Sequence, residues 1–369
     1  MPPLRAAIIG YGMSHKIFHA PFLAALPSLF TLVGIVQRTP SSSNSAPNDY
    51  PHLTHWTSHT AMLADSTTDI DLVIVTSSPD AHYDQVRASL LAGKHVVCEK
   101  PFVPTSTEAL DLAQLATDHG LILTVFQNRR WDSDFLTLRR ILDEGTLGRL
   151  VDMDTRFDRW RIEPPTAATA TWKFKQSGAS GAIYDLGTHL LDQLVVLFGM
   201  PERVTGFFKN NRVYTEEGTG GEMGGDSFTV HLHYDSRGLT ATAATTVASC
   251  TTEQVRYAVR GDKGSYVKWN TDVQEDQLKA GMKPGDEEFG LDKGLGMLTT
   301  IGEGGKMERK EVKADDPPVT YTAFYRAVHA AVVGEGENPV PAEPVAKVLK
   351  LIEIIKESAK EGRTLAVRV

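Results

Sequence analysis

The chain has 369 residues, of which 41% are hydrophobic and 23% are charged. At roughly 100–200 residues per domain this length predicts two domains, and the apolar content excludes a wholly disordered chain. The formal net charge is −8 and no basic cluster is present, which argues against nucleic-acid binding because phosphate backbones need clustered Lys and Arg.

Short apolar segments alternate with helical patterns in the first third of the chain. Strands are predicted at 5–10, 31–38, 71–77, 95–101 and 121–127, helices at 16–26, 81–94 and 106–120, and a polar loop at 41–51. Alternation of this kind is typical of βαβ units, and near-continuous apolar strands fit a sheet that is covered on both faces. We therefore predict a Rossmann-type, doubly wound parallel sheet in a domain of residues 1–127.

The pattern changes after residue 127. Helices are predicted at 133–145 and within 178–199, strands at 203–210, 227–235, 239–248 and 254–261, and a glycine-rich loop at 281–316. Alternation of apolar and polar residues in these strands indicates a sheet with one wet face. Residues 128–369 are thus predicted to form an α+β domain with a large open, mostly antiparallel sheet. Its final amphipathic helix, 344–361, is expected to pack back towards the first domain.

A glycine pair follows the first predicted strand, where the first helix begins. Gly10 and Gly12 allow a tight turn and a close approach of the backbone to a pyrophosphate, and the helix N-terminus offers free N–H groups. The strand before the turn and the helix after it favour a dinucleotide site over an ordinary glycine turn. His15 stands at the third glycine position of this motif, so we expect the packing of the helix on the strand to differ there.

The end of the second predicted strand bears on the choice of cofactor. An NAD site usually has an acidic residue there, which accepts hydrogen bonds from the ribose hydroxyls. This chain has Gln37, Arg38 and Thr39 instead, and Arg38 could pair with a 2′-phosphate through its guanidinium fork. We predict a preference for NADP(H). NAD(H) stays open if Arg38 faces water and a neighbouring side chain bonds the ribose.

Three ionisable residues are candidates for the chemistry. Lys100 ends a predicted strand at the edge of the sheet where ligands bind, and Asp185 and His189 lie four residues apart on one face of a predicted helix. Each has an ordinary alternative, namely a solvated lysine, a surface pair, or a core histidine bonded to the backbone. Beside a dinucleotide site they suggest hydride transfer. His189 would exchange the hydroxyl proton, Lys100 would stabilise the developing alkoxide and Asp185 would orient its partners.

Three segments carry a resemblance that spans nearly the whole chain. GYGMSHKIFHAP (10–21), SPDAHYDQVRASLLAGKHVVCEKPF (78–102) and YDLGTHLLDQLVVLFG (184–199) resemble the Gfo/Idh/MocA oxidoreductases. FQNRRWDSDF (126–135) and QEDQLKAGMKPGD (274–286) are similar to the scyllo-inositol dehydrogenase-like subgroup of that family.

The resemblance implies an NAD(P)-dependent enzyme that acts on a CH–OH carbon of a sugar or cyclic polyol. It also implies a homodimer, or a dimer of dimers, formed through the sheet of the second domain. By matching motif, Lys100, Asp185 and His189 are similar to the catalytic residues of the family. The implied cofactor-binding residues are Gly10, Gly12, Met13, Ser14, Arg38, Thr76, Ser77, His82, Glu99, Lys100 and Pro101. The implied substrate-binding residues are Asn128, Arg129, Trp131, Trp160, Arg161, Trp172 and Lys173.

Two alternatives to a polyol dehydrogenase stay open. One is a trans-dihydrodiol-type dehydrogenase, and the other is a non-catalytic regulator of the same fold that senses NADP. Retention of the lysine and the histidine favours an enzyme, since regulators related to this family tend to lose them.

Other kinds of site receive little support from the sequence. His52, His55 and His59 are close in sequence but are expected in a solvated loop, so we predict no metal site. Two cysteines, Cys98 and Cys250, predict no disulfide framework, and no apolar stretch approaches the ~20 residues of a membrane span. We therefore expect a soluble cytoplasmic protein without a membrane partner.

Overall fold

The computed structural model describes residues 2–164, 178–212 and 225–368. The chain divides into two compact units, each discontinuous in sequence. The first unit comprises Met1–Trp131, Gln274–Phe289 and Val319–Ala346, and the second comprises Asp132–Val273, Gly290–Pro318 and Lys347–Val369. The boundary expected after residue 127 stays a prediction.

The described residues form fifteen strands and ten α-helices. The strands are β1 (Leu4–Ile9), β2 (Phe30–Val36), β3 (Thr54–Trp56), β4 (Leu72–Val75), β5 (His95–Glu99), β6 (Leu123–Phe126), β7 (Leu150–Arg156), β8 (Arg203–Lys209), β9 (Ser227–Tyr234), β10 (Leu239–Thr245), β11 (Val255–Gly261), β12 (Gly264–Trp269), β13 (Gly296–Ile301), β14 (Met307–Val312) and β15 (Leu365–Ala366). The helices are α1 (Ala20–Ala24), α2 (Ala46–Asp49), α3 (His59–Ala64), α4 (His82–Leu91), α5 (Ser106–Asp118), α6 (Ser133–Asp143), α7 (Thr188–Phe198), α8 (Gln274–Lys279), α9 (Thr322–Val332) and α10 (Ala342–Glu361). π-Helical turns at His15–His19 and Ile183–Gly187 precede α1 and α7.

The first unit is built on a six-stranded parallel sheet in the order β3-β2-β1-β4-β5-β6. Strands β4 and β6 are buried along their whole length, as expected for a sheet covered on both faces. The strand order reverses between β1 and β4, which is the switch point where doubly wound sheets bind dinucleotides. The predicted fold class of this part of the chain is confirmed.

The second unit is built on a nine-stranded sheet in the order β14-β13-β12-β11-β7-β10-β9-β8-β15. Strand β10 pairs with β7 in parallel, and the other pairs are antiparallel, which confirms the predicted mostly antiparallel sheet. Helix α10 packs closely on β8, since a Cβ atom at Gly206 would come within 2.6 Å of the Ile355 carbonyl oxygen. The first turn of α10 belongs to the first unit and the rest to the second.

One row of residues crosses this sheet on the face opposite to the one on which α10 packs. Neighbouring strands place Thr205, His231, Thr242, Asp154, Ala258, Val267, Met297 and Glu311 opposite one another. We call these eight residues the open-face row. All of them are half-buried except Glu311, which is exposed.

Several sequence expectations were wrong. The predicted loop 281–316 contains the paired strands β13 and β14, and the predicted loop 41–51 contains α2. His55 lies in β3 and His59 begins α3, so these two histidines are not in a solvated loop. No helix within the described ranges is both long and apolar enough to cross a membrane.

Candidate functional site

The carboxyl ends of four strands meet at one edge of the first unit's sheet. The pairing register places Ile9 opposite both Val36 and Val75, and Val75 opposite Cys98. The residues that follow these strand ends are the glycine turn, Gln37 and Arg38, Thr76 and Ser77, and Glu99 and Lys100. The parallel register thus collects most of the predicted cofactor-binding residues at the switch point.

The glycine turn has the geometry that a dinucleotide requires. Gly10 has a φ of +107°, and a Cβ atom there would lie 2.7 Å from Thr76 Oγ1, so only glycine fits without strain. A Cβ atom at Gly12 would meet no atom within 4 Å, which leaves open space against its backbone. Met13 beside it is 56% exposed. The residues present therefore fit a bound pyrophosphate.

His15, at the third glycine position, is fully buried. Its ring packs edge-on against Tyr11, with 4.8 Å between ring centroids, and against Tyr50 at 5.9 Å. Burial, and secondarily the neighbouring His19, lowers the pKa of His15 to about 3. An aromatic cluster and a π-helical turn thus occupy the place where a third glycine would bring helix and strand into close contact.

The loop after β2 is fixed by side chains other than Arg38. The Gln37 amide donates to the Asn44 carbonyl oxygen at 2.8 Å, and its oxygen accepts the Ala46 N–H at 2.7 Å. Asn44 Nδ2 in turn donates to the Tyr11 carbonyl oxygen at 3.1 Å. Gln37 is therefore committed to the loop, whereas Arg38 is exposed and has no ion-pair partner among the described residues.

The turn that carries Lys100 is anchored at both ends. At one end the buried Glu99 carboxylate accepts the Lys100 N–H at 3.0 Å and the Ser14 hydroxyl. At the other end Phe102, fully buried with a φ of +82°, places its carbonyl oxygen 2.7 Å from His82 Nδ1. A bulky residue at positive φ is rare, and such strain collects at functional sites.

His82 joins the Phe102 end of this turn to the neighbouring strand. Its Nε2 lies 3.0 Å from the Ser77 carbonyl oxygen, and complete burial lowers its pKa below the usual value for histidine. Two cofactor candidates remain. The Thr76 hydroxyl donates to the Ile9 carbonyl oxygen at 3.0 Å, and Pro101, which follows Lys100 in the chain, is buried.

The partners of Glu99 favour its ionised form. Burial alone would raise the pKa of Glu99, but hydrogen bonds from His19 and Ser14 and the charge of Lys100 hold it below its usual value. Ser14 lies in the first turn after the glycine pair. One carboxylate thus joins the predicted cofactor turn to the backbone of the predicted catalytic lysine.

In the second unit, Asp185 and His189 lie on either side of the junction between a π-helical turn and α7. Asp185 is half-buried within the turn, and His189, in the first turn of α7, is 4% exposed. Single π-helical turns inside helices occur frequently at functional sites. The sequence predicted one regular helix for this pair. The structure instead places Asp185 in a π-helical turn and His189 in an α-helix.

A buried polar network holds helix α7 at Gln193, one turn after His189. Gln193 Oε1 accepts from Arg256 Nη2 at 2.8 Å and from the Tyr257 hydroxyl at 2.9 Å. Arg256 Nε donates to Asp134 at 2.9 Å, and both of these charged side chains are fully buried. The network ties α7 to β11 and α6 and thereby sets the place of His189.

The predicted substrate-binding residues lie in different parts of the chain. Asn128, Arg129 and Trp131 form a 3₁₀ turn after β6, in which Arg129 is paired with Glu275. In the second unit, Trp160 is 56% exposed and Arg161 is also exposed. Trp172 and Lys173 lie outside the described residues.

Sequence reasoning missed two buried residues, His19, which is hydrogen-bonded to Glu99, and Tyr325, which is hydrogen-bonded to His19. The only sequence signal for His19 is its place in the FHAP segment after the glycine turn, and Tyr325 is far away in the chain. No group of three or more His, Cys, Asp and Glu residues able to hold a metal ion occurs in the part of the chain that the structure describes.

Comparison with protein families gives two matches that together cover most of the chain. Residues 4–127 match the model described as "Oxidoreductase family, NAD-binding Rossmann fold", and residues 139–367 match "Oxidoreductase family, C-terminal alpha/beta domain" of Gfo/Idh/MocA proteins. The chain belongs to the Gfo/Idh/MocA oxidoreductase family. It is therefore an oxidoreductase with a nicotinamide-binding Rossmann domain.

Individual relatives agree with this family assignment. The oxidoreductase YdgJ of Escherichia coli is 38% identical, with 98% of each chain covered. Bacillus subtilis IolW, named scyllo-inositol 2-dehydrogenase (NADP(+)), is 33% identical over 98% of this chain and 95% of its own. Among solved structures, the oxidoreductase yvaA from Bacillus subtilis superposes with a TM-score of 0.87 at 33% identity, covering 99% of this chain and 100% of its own.

Proposed function

We propose that this protein is an NADP(H)-preferring dehydrogenase that acts on a secondary alcohol or ketone carbon of a sugar or cyclic polyol. The observation that carries the proposal is the Glu99 carboxylate, which accepts hydrogen bonds from both Ser14 and the Lys100 backbone. This contact supports a role for Lys100 beside the cofactor. The names of two relatives, scyllo-inositol 2-dehydrogenase (NADP(+)) and D-glucoside 3-dehydrogenase, support the substrate class.

The glycine turn and Arg38 would hold NADP(H), which when bound would supply the hydride acceptor for the alcohol carbon, or the hydride donor for the ketone. The Lys100 ammonium donates a hydrogen bond to the reacting oxygen and stabilises the negative charge that develops on it. In the oxidation, the hydroxyl proton passes to His189 as the C=O bond forms, and in the reduction His189 returns it. Asp185 orients the histidine or a substrate hydroxyl.

The preference for NADP(H) rests on the end of β2. Arg38 is exposed there without an acidic partner in the described chain, and the neighbouring Gln37 is occupied by the loop. A guanidinium group pairs with a phosphate through two parallel hydrogen bonds to two phosphate oxygens. A ribose hydroxyl has a single oxygen and cannot form this pair of bonds. We propose that Arg38 binds the 2′-phosphate.

The test is a panel of inositols, hexoses, pentoses and aromatic trans-diols, each assayed with NADP⁺ and NAD⁺ by nicotinamide absorbance. We expect turnover of a polyol or sugar with NADP⁺ preferred, and loss of that preference in Arg38→Ala. Turnover of the aromatic diols alone would instead identify a dihydrodiol dehydrogenase. Tight NADPH binding with no turnover of any compound would identify a regulator and refute the proposal.

The role of Lys100 is tested by Lys100→Met, which keeps the length of the side chain and removes its charge. We expect kcat to fall at least ~100-fold, the lower range for acid–base and charge-stabilising groups, while NADPH binding is kept. Full turnover by this variant would show that Lys100 does not contact the reacting oxygen.

We further propose that two copies associate through the open-face row of the second unit's sheet. The row combines half-buried apolar residues, such as Val267 and Met297, with polar ones. The apolar members of the row could form the centre of an interface, because the cores of homodimer interfaces are more apolar than the rest of a protein surface.

A further inference from the structure

The Glu99 carboxylate is also part of a buried chain of side chains that leads away from the predicted cofactor edge. His19 Nε2 lies 3.0 Å from Glu99 Oε1, and His19 Nδ1 is hydrogen-bonded to the Tyr325 hydroxyl. His19 and Tyr325 are both fully buried. The chain joins three segments of the first unit: the π-helical turn His15–His19, the end of β5, and α9.

The protons in this chain can be assigned from the chemistry of its members. An ionised Glu99 only accepts hydrogen bonds, so His19 Nε2 must carry a hydrogen. Burial raises the pKa of Tyr325 well above its usual value, so its hydroxyl keeps its proton. His19 Nδ1, the other ring nitrogen, is hydrogen-bonded to the Tyr325 hydroxyl. Tyr325 thus holds the imidazole ring in the position from which Nε2 donates to Glu99.

The His19 ring has little freedom to move. It packs against Phe126 with 4.5 Å between ring centroids, and it meets the Tyr325 ring edge-on at 6.2 Å. A fixed ring gives the Glu99 carboxylate one favoured orientation. In that orientation the carboxylate also accepts the Ser14 hydroxyl and the Lys100 N–H.

We propose that His19 and Tyr325 are positioning residues for cofactor binding and for Lys100, acting through Glu99. If the His19 contact is lost, the carboxylate turns, and the first helical turn at Ser14 is released together with the Lys100 backbone. The inference deepens the proposed function and rests on it for the roles of Ser14 and Lys100. A buried polar network in which every hydrogen bond is made strongly favours one arrangement. A substitution at His19 or Tyr325 is therefore expected to change the arrangement around Glu99.

The experiment compares four variants of the full chain by NADPH and NADH titration, followed through nicotinamide fluorescence, and by thermal unfolding without cofactor. His19→Leu removes both contacts, His19→Gln keeps an N–H donor near the Nε2 position, and Tyr325→Phe removes one oxygen. Tyr234→Phe is the matched control, because its buried hydroxyl donates one hydrogen bond to the Gly199 carbonyl oxygen in the second unit.

We expect His19→Leu and Tyr325→Phe to weaken NADPH binding by about tenfold, which corresponds to ~1.4 kcal/mol. His19→Gln should bind more tightly than His19→Leu, and Tyr234→Phe should bind as the unmodified chain does. Where turnover is measurable, kcat should fall in the same order.

Unchanged NADPH binding in Tyr325→Phe and in a folded His19→Leu would overturn the proposal. So would equal weakening by Tyr234→Phe, or a folded His19→Gln that binds no better than His19→Leu. If His19→Leu does not fold, Tyr325→Phe decides alone. Absence of turnover with intact cofactor binding would refute the proposed function only, since this test is read from binding; absence of binding to the unmodified chain would refute both.

Discussion

At the scale of single residues, the two glycines of the turn have different physical reasons to be glycine. Gly10 is required by the fold, since its φ is +107° and a Cβ atom would collide with Thr76. Gly12 is not required by the fold, because the space beside it is open. We propose that glycine at this position instead allows the cofactor to approach the backbone closely.

This difference predicts opposite outcomes for two alanine substitutions. Gly10→Ala should destabilise the protein without cofactor by more than ~1 kcal/mol, because alanine is strained at positive φ. Gly12→Ala should change that stability by no more than ~0.5 kcal/mol, yet weaken NADPH binding at least about tenfold. Thermal unfolding and fluorescence titration measure the two effects. Equal loss of stability in both variants would contradict this division of roles.

The buried His15 predicts a specific dependence of stability on pH. Its pKa of about 3 in the folded protein lies below the ~6.5 of an unfolded chain, so between these values only the unfolded chain binds the proton. Stability therefore falls as the pH is lowered through this window, by about 2 kcal/mol between pH 7 and pH 5.

His15→Phe keeps the edge-on ring contacts and removes the titrating group. Its free energy of unfolding, measured in urea at both pH values, should fall by about 2 kcal/mol less than that of the unmodified chain. His119→Gln changes an exposed histidine and is the control. An acid-side loss in His15→Phe as large as in the unmodified chain would show that His15 is not the group responsible.

At the scale of elements, the buried network beneath α7 holds the helix that carries His189. Arg256→Met leaves the Asp134 carboxylate buried without its ion-pair partner, and breaking a buried pair in this way costs about 3–5 kcal/mol. The double variant Arg256→Met/Asp134→Leu removes both charges and should be more stable than the single variant. Urea unfolding of both tests this. A double variant that is less stable than Arg256→Met would show that the network does not act as an ion pair.

The elements that sequence reasoning predicted are those with an apolar pattern. The strands β1, β2, β4, β5 and β6 are mostly buried, and their apolar runs were sufficient to predict the parallel sheet. Strand β14 reads MERKEV and has no buried residue, because it is an edge strand that exists through its backbone pairing with β13. No periodicity of hydrophobic residues could have predicted it.

The same limit applies to the candidate site. The position of Lys100 at a strand end follows from the pattern, because parallel strands bring their carboxyl ends to one edge. The contacts that lead from Glu99 through His19 to Tyr325 do not, because His19 and Tyr325 are 306 residues apart and meet only in the folded unit. Side-chain contacts of this range depend on tertiary packing, which local sequence does not encode.

At the scale of the whole molecule, the open-face row predicts how the protein associates. Ala258, Val267 and Met297 are adjacent across three strands and form the apolar part of the row. An arginine at Val267 would have to lose its hydration within a dimer interface, with apolar neighbours on both sides, at a cost of several kcal/mol. Val267→Arg should therefore be monomeric where the unmodified chain is dimeric or larger, as measured by light scattering after gel filtration.

Leu110→Arg is the control for added charge, because Leu110 is 49% exposed on α5, which belongs to the first unit. It should keep the oligomeric state of the unmodified chain. A folded Val267→Arg that still dimerises would place the interface elsewhere. An unmodified chain that is monomeric at micromolar concentration would refute the proposed dimer. Because Val267 lies in the second unit, NADPH binding to the first should be the same in both variants, which separates assembly from cofactor binding.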